Sequence, residues 1–244
     1  MRDYGCEIKK RLEFIRGVIK SAGADGVVYG NSGGKDSALV GILCKMACDN
    51  TVGLIMPCGT RRNYETDKTD AEKIALQFGI AIRVIDLSEV KNELVRVIGK
   101  TISISDAALV NIAPRLRMTA LYAAAASENR LVAGTGNRSE TYMGYFTKWG
   151  DGACDFNPIA DLTVTEIYEF LRHLNAPGFI LDKAPSAGLF DGQTDEGEMG
   201  ITYGAIDEFL LKGSANQRDM ALIEKFHGAS GHKRKMPITL VGSG

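Results

Sequence analysis

Gly30-Asn31-Ser32-Gly33-Gly34-Lys35-Asp36-Ser37 decides the reading of this chain. Val27-Val28-Tyr29 runs apolar into it, and Ala38-Leu39-Val40-Gly41-Ile42-Leu43 follows as an apolar helical stretch. The order is strand, glycine-rich turn, helix. Such a turn aims several backbone N–H groups and a helix N-terminus at one point, which favours phosphate. The glycines let phosphate oxygens approach the backbone, and Ser32 and Ser37 add hydroxyl donors. Gly30, Asn31, Ser32, Gly33, Gly34, Lys35, Asp36 and Ser37 are therefore expected to hold the phosphates of a nucleotide. A Walker A loop places Ser or Thr directly after Gly-Lys. Here Asp36 stands between Lys35 and Ser37. An acid at that point would repel a triphosphate unless it holds a divalent ion, so Asp36 is read as a Mg2+ ligand.

Outward from this loop the chain alternates short apolar runs with helical patterns. Strands are expected at 26–30, 51–56 (ended by Pro57), 80–87 and 131–133. Helices are expected at 8–19, 36–48, 65–78 (stopped by Gly79), 88–97 (capped by Ser88), 114–127 (opened by Pro114), 166–174, 206–211 and 220–227. Residues 176–204 carry much Pro, Gly and Asp with little periodicity, as functional loops do. Repeated strand–helix units predict an α/β fold, a doubly wound, mostly parallel sheet flanked by helices, in one domain over 1–244.

The 244 residues carry a formal net charge of −1, which argues against a nucleic-acid field. No stretch has the length and apolarity of a membrane span. The five cysteines, at 6, 44, 48, 58 and 154, are an odd set without a Cys-x-x-Cys pair. That fits reduced thiols in a cytoplasm, with Cys44 and Cys48 packing in the core.

Further segments extend the pattern: Asn111-Ile112-Ala113-Pro114-Arg115, Gly134-Thr135-Gly136-Asn137-Arg138-Ser139-Glu140, Gly144 to Gly152, Lys183-Ala184-Pro185-Ser186-Ala187, Gln193 to Glu196, and His232 to Pro237. With Ser-Gly-Gly-Lys-Asp-Ser they resemble ammonia-dependent NAD synthetase, of the N-type ATP pyrophosphatases, over nearly the whole chain. The resemblance implies an adenine nucleotide alpha hydrolase-like fold and a homodimer. It also implies a reaction in which ATP adenylates the nicotinate carboxylate of deamido-NAD and ammonia displaces AMP. Glu140 would be a second metal ligand beside Asp36. Thr135 and Ser186 would touch ATP, and Arg115, Lys148, Asp155, His232 and Lys233 would touch the dinucleotide. A departure falls at Val164, where many members carry an ATP-binding lysine; Lys35 could supply that charge.

Two other functions fit the loop. One is another ATP pyrophosphatase, amidating like GMP synthetase or thiolating tRNA; a thiolase would be expected to show a cysteine pair and a basic surface. The other is a non-catalytic nucleotide sensor, against which Asp36 with Glu140 argues. Single residues also have plainer readings. Lys148 could be a solvated lysine, Glu140 a turn cap, His232 to Lys235 a basic tail, and one of Arg115 and Arg117 a structural ion pair. The chemistry needs a base, because ammonium cannot attack until it loses a proton. Asp151 and Asp155 are the candidates. No glutamine-cleaving domain is expected, so ammonia would be free or delivered.

Overall fold

The computed structural model describes residues 2–59, 63–183 and 194–240. Helix α1 (Tyr4–Ala22) starts at Asp3, whose carboxylate accepts from the Cys6 amide, and ends at Gly23 in the left-handed conformation. There follow β1 (Gly26–Gly30), α2 (Lys35–Ala47), β2 (Thr51–Ile55), α3 (Lys68–Gln77), β3 (Ala81–Val84), α4 (Ser88–Ile98), α5 (Asp106–Ser127) and β4 (Arg130–Ala133). The remaining helices are α6 (Arg138–Met143), α7 (Val164–His173), α8 (Gly178–Leu181), α9 (Asp195–Met199), α10 (Tyr203–Lys212) and α11 (Gln217–Ala229). A one-turn 3₁₀ helix spans Gly231–Arg234.

The described strands form one parallel sheet in the order β3-β2-β1-β4. Strand side chains alternate between two cores, as the two-residue period requires. Val27 and Tyr29 join α1, α2 and α7 on one face. Val28, Val52, Leu54 and Val132 join α5 on the other. This is the doubly wound α/β arrangement expected. A third apolar cluster, with Met143, Val164, Met199, Tyr203, Ile206 and Ile223, binds α6 and α7 to the C-terminal helices.

Several helices start two to four residues from the expected bounds, and two expected start residues take other roles. Pro114 does not open α5 but lies inside it, nine residues after the Ser105 cap. The proline serves tertiary packing: its ring sits against Gly150, where an added Cβ would come within 2.9 Å of it. Ser88 is the first residue of α4 rather than its cap; the Asp86 carboxylate accepts from the Ser88 amide instead, at 2.9 Å. The third strand is also shorter than 80–87. Val164, at the position expected for lysine, is a core residue at the start of α7.

Tyr29 is fully buried, and its hydroxyl has no hydrogen-bond partner. Gly41 and Gly53 make room for it; a Cβ at Gly41 would meet the hydroxyl at 2.2 Å. An unpaired buried hydroxyl costs about 1–3 kcal/mol. Tyr29→Phe is expected to leave stability unchanged or raise it by about 1 kcal/mol in urea denaturation. A loss of more than about 1 kcal/mol would show that the hydroxyl is bonded.

Candidate active site

The switch point of the sheet lies between β1 and β4, where the winding reverses, and ligands in open α/β sheets bind beyond the strand ends there. Both loops leaving these strands run into helix N-termini, Lys35 beginning α2 and Arg138 beginning α6. They line one cleft of about 590 Å3.

The phosphate loop is held from below. Buried Asn31 donates to the Ala71 carbonyl at 3.2 Å, fixing the loop to α3. Gly33 has φ +69°, and a Cβ there would lie 2.2 Å from the Asp67 carbonyl, so only glycine fits. Ser37 donates to the Gly34 carbonyl at 3.0 Å, with the Ser32 hydroxyl 3.1 Å away. Lys183 completes the support. Its ammonium donates to the Gly33 carbonyl, Asp67 and Asp70 at 3.0, 2.9 and 2.8 Å.

Asn137 joins the two loops. It is fully buried, caps α6 in a reciprocal box with Glu140, and donates its side-chain amide to Asp36 Oδ1 at 3.1 Å. Glu140 Oε2 accepts from the Asn137 amide, while Oε1 lies 4.0 Å from Lys35 Nζ. Lys35 Nζ also sits 2.7 Å from Asp36 Oδ2. Burial and the charge of Asp36 push the Glu140 carboxyl well up, although Lys35 and the Asn137 amide pull against them. Burial works against the Lys35 charge too, but Asp36 and Glu140 outweigh it and raise its pKa. Glu140 is thus both a cap and one of two acids facing a common cation. No cluster of three acid, His or Cys ligands exists among the described residues.

Of the remaining expected residues, Thr135, Asp151 and Lys233 line the cleft. Asp151 keeps exposed surface there, while its Oδ1 turns inward to accept from the Thr147 amide at 2.9 Å. Burial of the carboxyl among the cleft residues raises its pKa, against the pull of the Thr147 amide. Lys233 donates to the Gly144 and Phe146 carbonyls, both at 2.7 Å; burial lowers its pKa despite Asp151.

Arg115, Lys148 and His232 gather outside the cleft. Arg115 donates to the Lys148 carbonyl at 3.3 Å, and Lys148 to the His232 carbonyl at 2.7 Å. Between them Trp149 has φ +61°, a rare value for a bulky residue. Asp155 lies at the sheet edge with both oxygens engaged, by the Val132 amide at 2.7 Å and the Tyr122 hydroxyl at 3.2 Å. Ser186 falls outside the described residues, as does most of the loop between Lys183 and Gly200.

Sequence reasoning set Arg117 against Arg115 and gave the substrate role to Arg115, and it did not foresee the Lys183 contacts. Arg117 lines the cleft, and its Nε donates to the Met56 carbonyl at 3.0 Å. Helical spacing does set Arg115 and Arg117 about 200° apart, but only the tertiary fold says which one turns inward.

A phosphate loop at the switch point, two facing carboxylates and a wide cleft define a nucleotide-dependent α/β enzyme. Comparisons place it further. The family model for NAD synthase matches residues 7–237, and the chain belongs to the NAD synthase family. It is 46% identical over 232 residues, 94% of each chain, to the NH(3)-dependent NAD(+) synthetase of Carboxydothermus hydrogenoformans. Among solved structures it resembles an NMN synthetase from Francisella tularensis at TM-score 0.93 and 36% identity, covering 98% and 99% of the two chains. It resembles an NH3-dependent NAD synthetase from Campylobacter jejuni, in complex with nitrate, at TM-score 0.81 and 31% identity, covering 99% and 100%.

The raised Asp151 pKa gives a signed expectation. Its contribution to stability is whole below the unfolded value of about 4 and is lost as pH rises through the higher folded value. Asp151→Asn does not titrate. The urea midpoint of the variant should therefore gain on wild type between pH 4 and pH 7. A gap that stays constant with pH would show that the carboxyl is not desolvated.

Proposed function

We propose that this chain, as a single domain over 1–244, amidates the nicotinate carboxylate of deamido-NAD with ammonia. ATP is consumed and NAD, AMP and pyrophosphate are formed. The observation that carries the reading is the bridge from Asn137 to Asp36, which turns Asp36 and Glu140 toward one point beside the phosphate loop. The relatives bearing the NAD synthetase name support the choice of substrate.

The residues also fit a Mg2+ ion. The cleft is lined by Lys35, Lys68, Arg117, Lys183 and Lys233 against Asp36, Asp67, Glu140, Asp151, Asp195 and Glu198. Among the described residues acids outnumber bases there, so two polyanionic substrates need extra positive charge. Asp36 and Glu140 are hard oxygen donors, and magnesium is commonly held by one or two carboxylates plus substrate phosphates. When bound, the ion would neutralise charge on the phosphates.

The loop amides from Gly33 to Ser37, at the N-terminus of α2, receive phosphate. The nicotinate carboxylate then attacks the α-phosphorus, and pyrophosphate leaves. Carboxylate oxide is a poor leaving group, whereas AMP departs readily from the acyl-adenylate. Asp151 is well placed to receive ammonium and take its proton. It lies in the cleft with a raised pKa, while both Asp155 oxygens are already bonded. Arg115, Lys148 and His232 extend a basic rim beyond the cleft toward the rest of the dinucleotide. All five cysteines are free, which suits a cytoplasmic enzyme.

The likeness to the Francisella NMN synthetase favours a second reading, with nicotinate mononucleotide as the acceptor. Purified protein with ATP, Mg2+ and ammonium decides between them. Deamido-NAD is expected to give NAD and AMP in equal amounts, with kcat/KM at least 100-fold above that for the mononucleotide; the reverse preference would establish the second reading. Glutamine alone should give no product. Asp36→Asn should cut pyrophosphate release by about 100-fold or more while the protein stays folded. Asp151→Asn should raise the ammonium requirement and leave the KM for ATP nearly unchanged. Wild-type ammonium dependence in that variant would move the base elsewhere.

A homodimer belongs to the same proposal. Val90, Leu94 and Val97 form an exposed apolar stripe at helical spacing on α4, and none of that helix is buried. Sedimentation should give about twice the 26.3 kDa chain mass. Leu94→Glu combined with Val97→Glu should return it to one chain mass; a wild-type monomer at micromolar concentration would refute the dimer.

A further inference from the structure

Lys35 is the first residue of α2, yet its side chain is only 5% exposed. A lysine is seldom so buried unless it is paired. Its ammonium lies 2.7 Å from Asp36 Oδ2 and 4.0 Å from Glu140 Oε1, and 5.6 Å from the centroid of the Tyr203 ring. Tyr203 is itself buried and donates to Asp195 at 3.1 Å. A tethered cation therefore stands against the two carboxylates that a metal ion would use.

We propose that Lys35 holds the place of the metal until nucleotide arrives, so that the divalent ion enters with the triphosphate rather than ahead of it. The inference rests on the reading of Asp36 and Glu140 as ligands of ATP-bound Mg2+. A dication approaching these acids alone meets a positive charge already seated there. It must compete for Asp36 Oδ2 and be repelled by the ammonium. A triphosphate changes the balance by bringing several new acceptor oxygens into the cleft. Lys35 lines that cleft, and its four-carbon stem with rotatable donors lets it turn to a phosphate oxygen. The carboxylates are then released to the metal. The same movement would place positive charge on ATP despite the apolar Val164. The neutral Gln would make the pair accessible to free metal, whereas Arg would keep the cation in place.

Binding of Mn2+ alone, followed by the electron paramagnetic resonance of the free ion, tests this without turnover. Nucleotide-free Lys35→Gln should bind Mn2+ at least tenfold more tightly than wild type, and Lys35→Arg should stay near wild type. Adding Glu140→Gln to Lys35→Gln should abolish the gain. Equal affinity of wild type and Lys35→Gln would overturn the proposal. So would wild-type binding without nucleotide as tight as in the complex with α,β-methylene ATP, a result that needs no folded variant. The metal assignment is tested separately by Glu140→Gln in that complex. If Mn2+ affinity there is unchanged, the assignment falls and the proposal with it.

Discussion

The hydrogen bond from the Asn137 side chain to Asp36 joins residues 101 apart in sequence, and the site depends on it. Parallel pairing of β1 with β4 brings the two loops side by side. Adjacency alone would leave two independent turns. Asn137 spends its whole side chain on making them one, its oxygen accepting from the Glu140 amide and its nitrogen donating to Asp36. Since Asn137 is fully buried, losing either partner would strand a polar group away from water. The N-termini of α2 and α6 are thereby held toward the same cleft.

How much of this was legible in the sequence depends on how local each cause is. The phosphate loop was legible because its chemistry lies within eight consecutive residues. Glycines, hydroxyls and an acid follow a strand, and the structure keeps that order. The parallel, doubly wound sheet followed from the alternation of strands and helices. Pro114 misled because a proline is usually read by its own backbone preference. Here its ring is a packing surface for Gly150, and that contact comes from a segment thirty-six residues on. Ser88 misled for the opposite reason: Asp86, only two residues away, accepts from the Ser88 amide itself, and Ser88 enters the helix instead of capping it.

The basic residues were harder. Arg115 and Arg117 carry the same charge, and nothing local separates an arginine facing the cleft from one on the outer wall. Lys148 and Lys233 are similarly matched by chemistry and divided by the fold, one resting on the His232 carbonyl and the other on those of Gly144 and Phe146. Glu140 shows that two readings of one residue need not exclude each other. Asn-x-x-Glu is a capping pattern, yet capping occupies only one carboxylate oxygen. The box turns the second oxygen toward Lys35, so the cap orients the acid facing the cleft.

Charge balance connects these observations. A cleft for two polyanions would be expected to be lined with free bases, but the bases described there are already engaged, Lys68 by Glu72 at 3.8 Å. Lys35 rests on Asp36, Lys183 on Asp67 and Asp70, and Arg117 and Lys233 on main-chain carbonyls. Each contact holds a flexible cation in a defined place, which limits the ordering cost when phosphate arrives. Each also sets an opposing charge or dipole that the substrate must outcompete. A diphosphate or triphosphate offers several charged oxygens at once and can do so; a lone carboxylate or inorganic anion offers fewer.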